Sequence, residues 1–180
     1  MGDLYEQSRN LFIRRWGEMG AAWGISRTMA EIHALLFVSA HPLCTDDIMD
    51  RLQISRGNAS MNLRQLVNWD LIYRVHRPGD RKEYFSGETD VWQMFEAITR
   101  ERRRREIEPI IETIDRCKAM VSDEFKRSRG AKSKEVKEYR RRLDEMLEFL
   151  NLMNAMFNVV VNVGHKNVHR LSAALARLTK

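Results

Sequence analysis

The 180-residue chain holds only two cysteines, three prolines and nine glycines, and each scarcity removes a class of architecture. Two thiols far apart in sequence, Cys44 and Cys117, do not build a disulfide scaffold and fit a reduced, cytoplasmic protein. So few prolines and glycines leave room for long helices. No apolar run reaches the ~18 residues that a membrane-crossing helix needs. The nearest candidate, LMNAMFNVVVNV, is broken by Asn154, Asn158 and Asn162, so no membrane partner is expected. The N-terminus, MGDLYEQSRN, lacks the apolar core of a signal peptide. A Gly-rich phosphate loop, a nucleophile elbow, a metal-ligand cluster and paired carboxylates in a plausible site are all missing, so neither catalysis nor a cofactor is expected. His165 and His169 stand four residues apart, yet no carboxylate or cysteine lies beside them, and no metal is expected there.

Positive charge is present, and it is concentrated. Between Arg51 and Lys82 there are seven Lys or Arg residues (51, 56, 64, 74, 77, 81, 82) against Asp70 and Asp80, a local balance of +5 in a chain whose total is +6. A basic patch confined to one motif is the electrostatic footprint of nucleic-acid binding. Within that stretch, Ser55 occupies a helix N-cap position. Ala59, Leu63, Leu66 and Val67 then recur at helical spacing, leaving Arg56, Asn58, Ser60, Met61, Arg64 and Gln65 largely on other faces. Such a donor-rich outer surface suits the major groove. A Pro78-Gly79-Asp80 turn follows, flanked by Arg74, His76, Arg77, Arg81 and Lys82. A groove-reading helix followed by a cationic hairpin predicts a winged helix-turn-helix that binds duplex DNA.

The remaining elements support that frame. Residues 3–22 read as a helix with Tyr5, Phe12, Trp16, Met19 and Trp23 on one side, ended by Gly24. Ser26 caps a second helix that buries Met29, Ile32, Leu36 and His33. Thr45 is expected to cap a short helix with Ile48, Met49 and Leu52 inward, and Asp46 and Asp47 suit its first turn. Residues 53–55 then form the turn to the recognition helix. After the wing, a long helix is expected from Glu88 to about Asp123, with Val91, Trp92, Phe95 and Ile98 buried. Pro109 should kink it or start a new helix. The run RERRRRE (100–106) reads as a solvated helical face with arginines available to Glu101 and Glu106, and residues 126–134 read as a polar loop.

A second signal lies further on. Val136, Tyr139, Leu143, Met146, Leu150, Met153, Phe157 and Val160 alternate in steps of three and four, the mark of a seam against another long helix. Gly164 is expected to interrupt it before a last helix carrying Val168, Leu171, Leu175 and Leu178. The partner is either residues 107–121 of the same chain or a second copy. A homodimer is favoured, with Leu143, Met146, Leu150, Met153 and Phe157 as its seam, because helix-turn-helix proteins match two half-sites with a two-fold axis. The fold expected is mainly α: a DNA-binding domain over residues 1–98 and long C-terminal dimerisation helices over 99–180.

The motifs SRGNASMNLRQL, W-DLIYRV and PGDRKEYF, in that order, resemble the GbsR-type branch of the MarR-like transcriptional regulators. The resemblance spans roughly residues 15–95. It implies a recognition helix over Ser55–Trp69 and a wing over Tyr73–Ser86, with Asp80 and Arg81 at the wing tip. In the recognition helix the DNA-facing candidates are Ser55, Arg56, Gly57, Asn58, Ser60, Met61 and Arg64. Arg56 and Arg64 could take guanine edges or phosphates, Asn58 an adenine, and Gly57 would admit a close phosphate. In the wing they are Arg77, Asp80, Arg81 and Lys82. The branch includes regulators that sense choline-like cations, which aromatic cages bind, but Trp16, Trp23, Trp69 and Trp92 at helical spacing read as core. Cys44 reads as a small buried residue rather than a redox sensor. The function expected is a repressor reading a short inverted repeat, its small-molecule effector unknown. The alternative is a winged helix used only for protein contacts.

Overall fold

The computed structural model describes residues 3–122 and 131–178, in two compact units, Met1–Ala97 and Ile98–Lys180. The first unit contains α1 (Leu4–Ala22), α2 (Arg27–Phe37), β1 (Leu43–Cys44), α3 (Thr45–Leu52), α4 (Arg56–Asn68), β2 (Ile72–Val75) and β3 (Tyr84–Gly87), and α5 (Val91–Arg102) begins in it. The three strands form one antiparallel sheet in the order β1-β3-β2, with Cys44 opposite Tyr84 and Arg74 opposite Phe85.

Helix α2 starts on Ser26, whose Oγ accepts from the Met29 amide at 3.3 Å, and Gly24 ends the preceding segment at φ +80°. The expected Met29, Ile32, His33 and Leu36 are buried, together with Ala30, Ala34 and Leu35. Removing each larger aliphatic side chain from water is worth roughly 1.5–3 kcal/mol. The other elements of this unit that pack on α2 are α1, α3, α4 and β3.

The stripe expected on α1 is corrected. Tyr5 and Trp23 are exposed, and the buried positions are Ile13, Gly17 and Gly20. Two glycines let the backbones close up: a Cβ on Gly20 would lie 2.5 Å from the Cβ of Ala30. Phe12 and Trp16 instead flank that contact in a ring cluster with His33 and Phe37, at centroid separations of 5.6–6.5 Å.

The cap of α3 also differs from expectation. Cys44 is the N-cap and Thr45 the first helical residue, because Cys44 is held in the sheet by Tyr84 while its amide donates to Asp47 Oδ2 at 2.9 Å. Ile48 is buried, and Met49 and Leu52 are half-buried. Helix α5 begins after Asp90, whose Oδ1 accepts from the amides of Trp92 and Gln93. Glu88, expected to start it, is buried, accepting from the Tyr73 hydroxyl and from the Asp90 amide. The later start shifts the buried side to Met94 and Ala97 and leaves Val91 exposed.

In the second unit a π-helical turn, Arg103–Ile107, is followed by α6 (Glu108–Met120), and then by α7 (Ala131–Leu178). Pro109 lies in the first turn of α6, where a missing N–H costs no helical bond. Directly before it the Glu108 amide bonds to the Arg103 carbonyl, five residues back. Gly164 does not interrupt α7, which runs on for 48 residues, since one glycine costs a long helix only about 1 kcal/mol. Residues 123–130, most of the expected polar loop, lie outside the described residues, whereas 131–134 are helical. The side chains of residues 161–178, His165, His169 and the last apolar row among them, also lie outside the described set.

The seam expected on α7 divides between two faces. Val136, Arg140, Leu143, Leu147, Leu150 and Asn154, in steps of four and three, are half-buried. Helix α6 packs on α7, with Lys118 Nζ 2.5 Å from Asp144 Oδ1. A second 3-4 row, Met146, Phe149, Met153, Met156 and Val160, opens outward except at half-buried Met153, with Phe149 55% and Met156 54% exposed. Leu143 and Leu150 of the expected seam thus lie with the covered row, Met146 and Met153 with the open one, and Phe157 beside it.

The ring cluster carries a pH dependence. Burial pushes the His33 imidazole down from 6.5 to about 4, and its Nε2 has no hydrogen-bond partner. The folded state therefore binds fewer protons than the unfolded one between these values. Stability is full above pH 6.5 and falls as pH drops toward 4, by about 3 kcal/mol. Urea melts of wild type and His33→Leu at pH 7 and pH 4 should show this increment in the wild type and not in the variant.

Candidate nucleic-acid interface

Helix α4 is set up by local chemistry. Gln53 takes the left-handed conformation, φ 53°, which turns the chain out of α3, and Ser55 Oγ then accepts from the Asn58 amide at 3.3 Å. Ala59, Asn62, Leu63 and Leu66 form the buried side, as expected for the apolar three. Gly57, Met61, Arg64 and Asn68 are exposed and Ser60 half-exposed. At spacings of three, four and seven these five share one outward stripe. Asn68 is an addition to the expected set.

Asn58 belongs to another face. Its Nδ2 lies 3.5 Å from Thr28 Oγ1 on α2, and its Oδ1 accepts from Asn62 Nδ2 at 2.6 Å. Both polar ends are engaged inside the domain, so this side chain ties α4 to α2. Nothing lies within 4 Å of the position a Cβ would take on Gly57, so no packing inside the unit requires glycine there.

The wing is held by three separate contacts. Arg74 pairs with Glu83 across the hairpin at 2.9 Å. Asp80 Oδ1 accepts from the Lys82 amide and Oδ2 from the Tyr84 hydroxyl, and these two bonds hold its carboxyl below the usual carboxylate range. Asp80 therefore orders the turn, helped by Gly79 at φ +83°. Arg77 stacks over the Tyr84 ring, 4.1 Å from its centroid, and donates to the Pro42 carbonyl, which fastens it to the wing base. Arg81 is exposed at the tip, and among the described residues no ion pair engages it. At the root, the Glu88 carboxylate raises the Tyr73 hydroxyl to about 12.

One carboxylate joins helix and wing. Asp46, in the first turn of α3, pairs through Oδ1 with Arg56 and through Oδ2 with Lys82, the latter at 3.3 Å. The bonds from Arg56 and Lys82 lower its pKa. The start of α4 and the wing consequently occupy one surface.

Residues 23–83 match the protein-family model described as MarR family. Among curated proteins, this chain is 23% identical to the putative HTH-type transcriptional regulator YvaV of Bacillus subtilis (strain 168), over 51% of its own length and 52% of that protein. It is 23% identical to the HTH-type transcriptional repressor GbsR of the same organism, over 63% of each chain. The matches thus span between half and two thirds of these relatives. Among solved structures, the crystal structure of a transcriptional regulator superposes with a TM-score of 0.69 at 21% identity, covering 89% of this chain and 99% of that one. At that identity the likeness speaks for the fold.

Other candidates resolve differently around the winged-helix unit. Cys44 is buried in the sheet, in keeping with the structural reading. The tryptophans follow separate contacts: Trp16 joins Phe12 and His33, Trp92 meets Phe95 edge-on, Trp69 is buried and Trp23 is exposed. The arginine run pairs along its own helix, Arg104 with Glu101, Arg102 with Glu106 and Arg103 with Glu108. No group of three metal-ligating side chains occurs among the described residues, and none of the described helices is long and apolar enough to cross a membrane.

The open space at Gly57 makes its role separable. Gly57→Ala should stabilise α4, by up to about 1 kcal/mol if the helix propensity of its second residue is fully expressed. Denaturant melts check this, and a lower midpoint would mean the glycine has a conformational role inside the domain.

Proposed function

We propose that the chain is a sequence-specific DNA-binding transcriptional regulator, a repressor, that reads a short inverted repeat in the cytoplasm as a homodimer. The observation that carries this reading is the shared surface. The outward stripe of α4 carries donors, a cation and one apolar tip, and it lies beside a hairpin whose tip cation, Arg81, is exposed. Helix α4 would enter the major groove. Arg64 would take a guanine edge or phosphate, Met61 a thymine methyl, and Ser60 and Asn68 further donor or acceptor positions. Gly57 would admit a phosphate close to the free amides of the first turn, where the helix dipole favours an anion. Arg81 would reach the adjacent minor groove. Asn58 supports this as a positioning residue rather than an adenine reader.

The open row of α7 supports the homodimer. Among the described residues Met146, Phe149, Met156 and Val160 are exposed, with half-buried Met153 between them, and a second copy of α7 supplies a matching apolar row. An isologous contact of that kind gives the two-fold axis that an inverted repeat requires.

Mobility-shift titrations at several salt concentrations test the DNA reading. Log affinity should fall with log salt at a slope of about −0.9 per phosphate contact. A flat response, or no shift with any duplex in a random pool, would return the winged helix to the role of a protein-contact module. Arg64→Ala should relax preference at one position of each half-site by ~1–3 kcal/mol, and Arg81→Ala should weaken binding more uniformly.

The two faces of α7 predict different outcomes for a charge. Phe149→Glu should convert dimer to monomer in sedimentation while helix content by circular dichroism is kept. Leu147→Glu, on the half-buried row, should lower the melting temperature of the second unit itself. Dissociation by Leu147→Glu with no effect of Phe149→Glu would reverse the assignment of the faces.

A further inference from the structure

The Asp46 cluster contains a charge of the wrong sign for its place. Arg56 opens the recognition helix and Lys82 lies in the wing, so both belong to the surface that the proposed function turns toward phosphates. Yet both are paired to one carboxylate in the free protein. The three side chains are between 42% and 67% exposed, so the pairs are solvent-screened and weak enough to exchange partners. Asp46 is not needed as the helix cap, since Asp47 Oδ2 accepts the bond from the Cys44 amide. Its two oxygens stand where two phosphate oxygens would otherwise meet the same cations.

We propose that Asp46 is a specificity-determining residue that acts as an internal phosphate mimic: it occupies Arg56 and Lys82 in the free protein and repels DNA that cannot also satisfy the α4 stripe. This rests on the DNA-binding reading. Random duplex offers only phosphates, so it must displace a carboxylate and accept a fixed negative charge at the interface. An operator instead holds α4 in one register through base contacts to Met61, Arg64 and Asn68, in which Arg56 and Lys82 keep Asp46 and that cost is not incurred. Affinity is thereby reduced on random duplex more than on the operator and discrimination is raised, through a repulsive element placed against the wrong partner.

The test compares wild type, Asp46→Asn and Asp46→Ser on a random duplex and on the duplex selected as best bound. Asn and Ser both retain an acceptor and suit a helix start, and thermal melts of both variants confirm that the fold is kept. Both variants should bind random duplex about threefold to tenfold more tightly at moderate salt, with a salt slope steeper by about one phosphate contact. The gain on the selected duplex should be smaller, so the ratio of the two affinities falls. In a Lys82→Gln background the gain from Asp46→Asn should shrink at least by half. If wild type binds DNA and the variants bind random duplex no better, or the discrimination ratio is unchanged, Asp46 is not a mimic and the DNA-binding reading stands. If neither wild type nor variants bind any duplex, the DNA-binding reading fails and takes this one with it.

Discussion

Burial of α2 on several sides is the constraint from which the first unit is assembled. Seven of its eleven residues are buried, so each neighbouring element must present a complementary surface at close range. That is why α1 meets it through glycine and why Ile48 and Leu63, from α3 and α4, have almost no exposure. The bonds from Asn58 to Thr28 and Asn62 sit at the edge of the same packing. The angle at which α4 projects its outward stripe is therefore set from behind, by an apolar interface that never touches the outer surface.

The outer surface is ordered by a different kind of interaction. Its contacts are short-range and ionic: Asp46 with Arg56 and Lys82, Arg74 with Glu83, Asp80 with the turn amide and the Tyr84 hydroxyl. None is deeply buried, and each is worth little in water. Together they give the hairpin a preferred shape without locking its side chains. A rigid apolar back and a loosely ionic front divide the labour between holding the helix and meeting a partner.

How much of this could be read from residues alone follows from the range of each interaction. The recognition helix and wing were legible because their signals are local: a serine cap, apolar residues at helical spacing, a Pro-Gly-Asp turn. Asp46 was visible only as an acidic residue in a helix's first turn, because its partners lie ten and thirty-six positions away. Gly17 and Gly20 carry no such signal, since a residue without a side chain adds nothing to an apolar stripe. The two-residue strand β1 was too short to show a period of two. On α7 the repeat was legible but its phase was not: where two apolar rows lie side by side, a path stepping between them satisfies the same 3-4 rhythm. Asn58, on the side of α4 nearest α2, read as a base contact because its polarity suggested an outward position.

The π-helical turn before Pro109 has a consequence for the chain's tolerance of change. A residue accommodated as an extra member of a turn advances everything after it by about 100° of rotation relative to an uninterrupted α-helix. Ile114, the buried residue of α6, lies downstream of that advance. Deleting a single residue from Arg103–Ile107 would let the backbone revert to ordinary helix at little local cost, while turning every later residue of the helix by that angle. Sequence drift within this arginine-rich segment can thus exchange exposed side chains more readily than it can change their number, with Arg103, bonded to Glu108, Asn154 and Asn158, the more constrained position. A run whose composition looks interchangeable is in that sense a counted spacer.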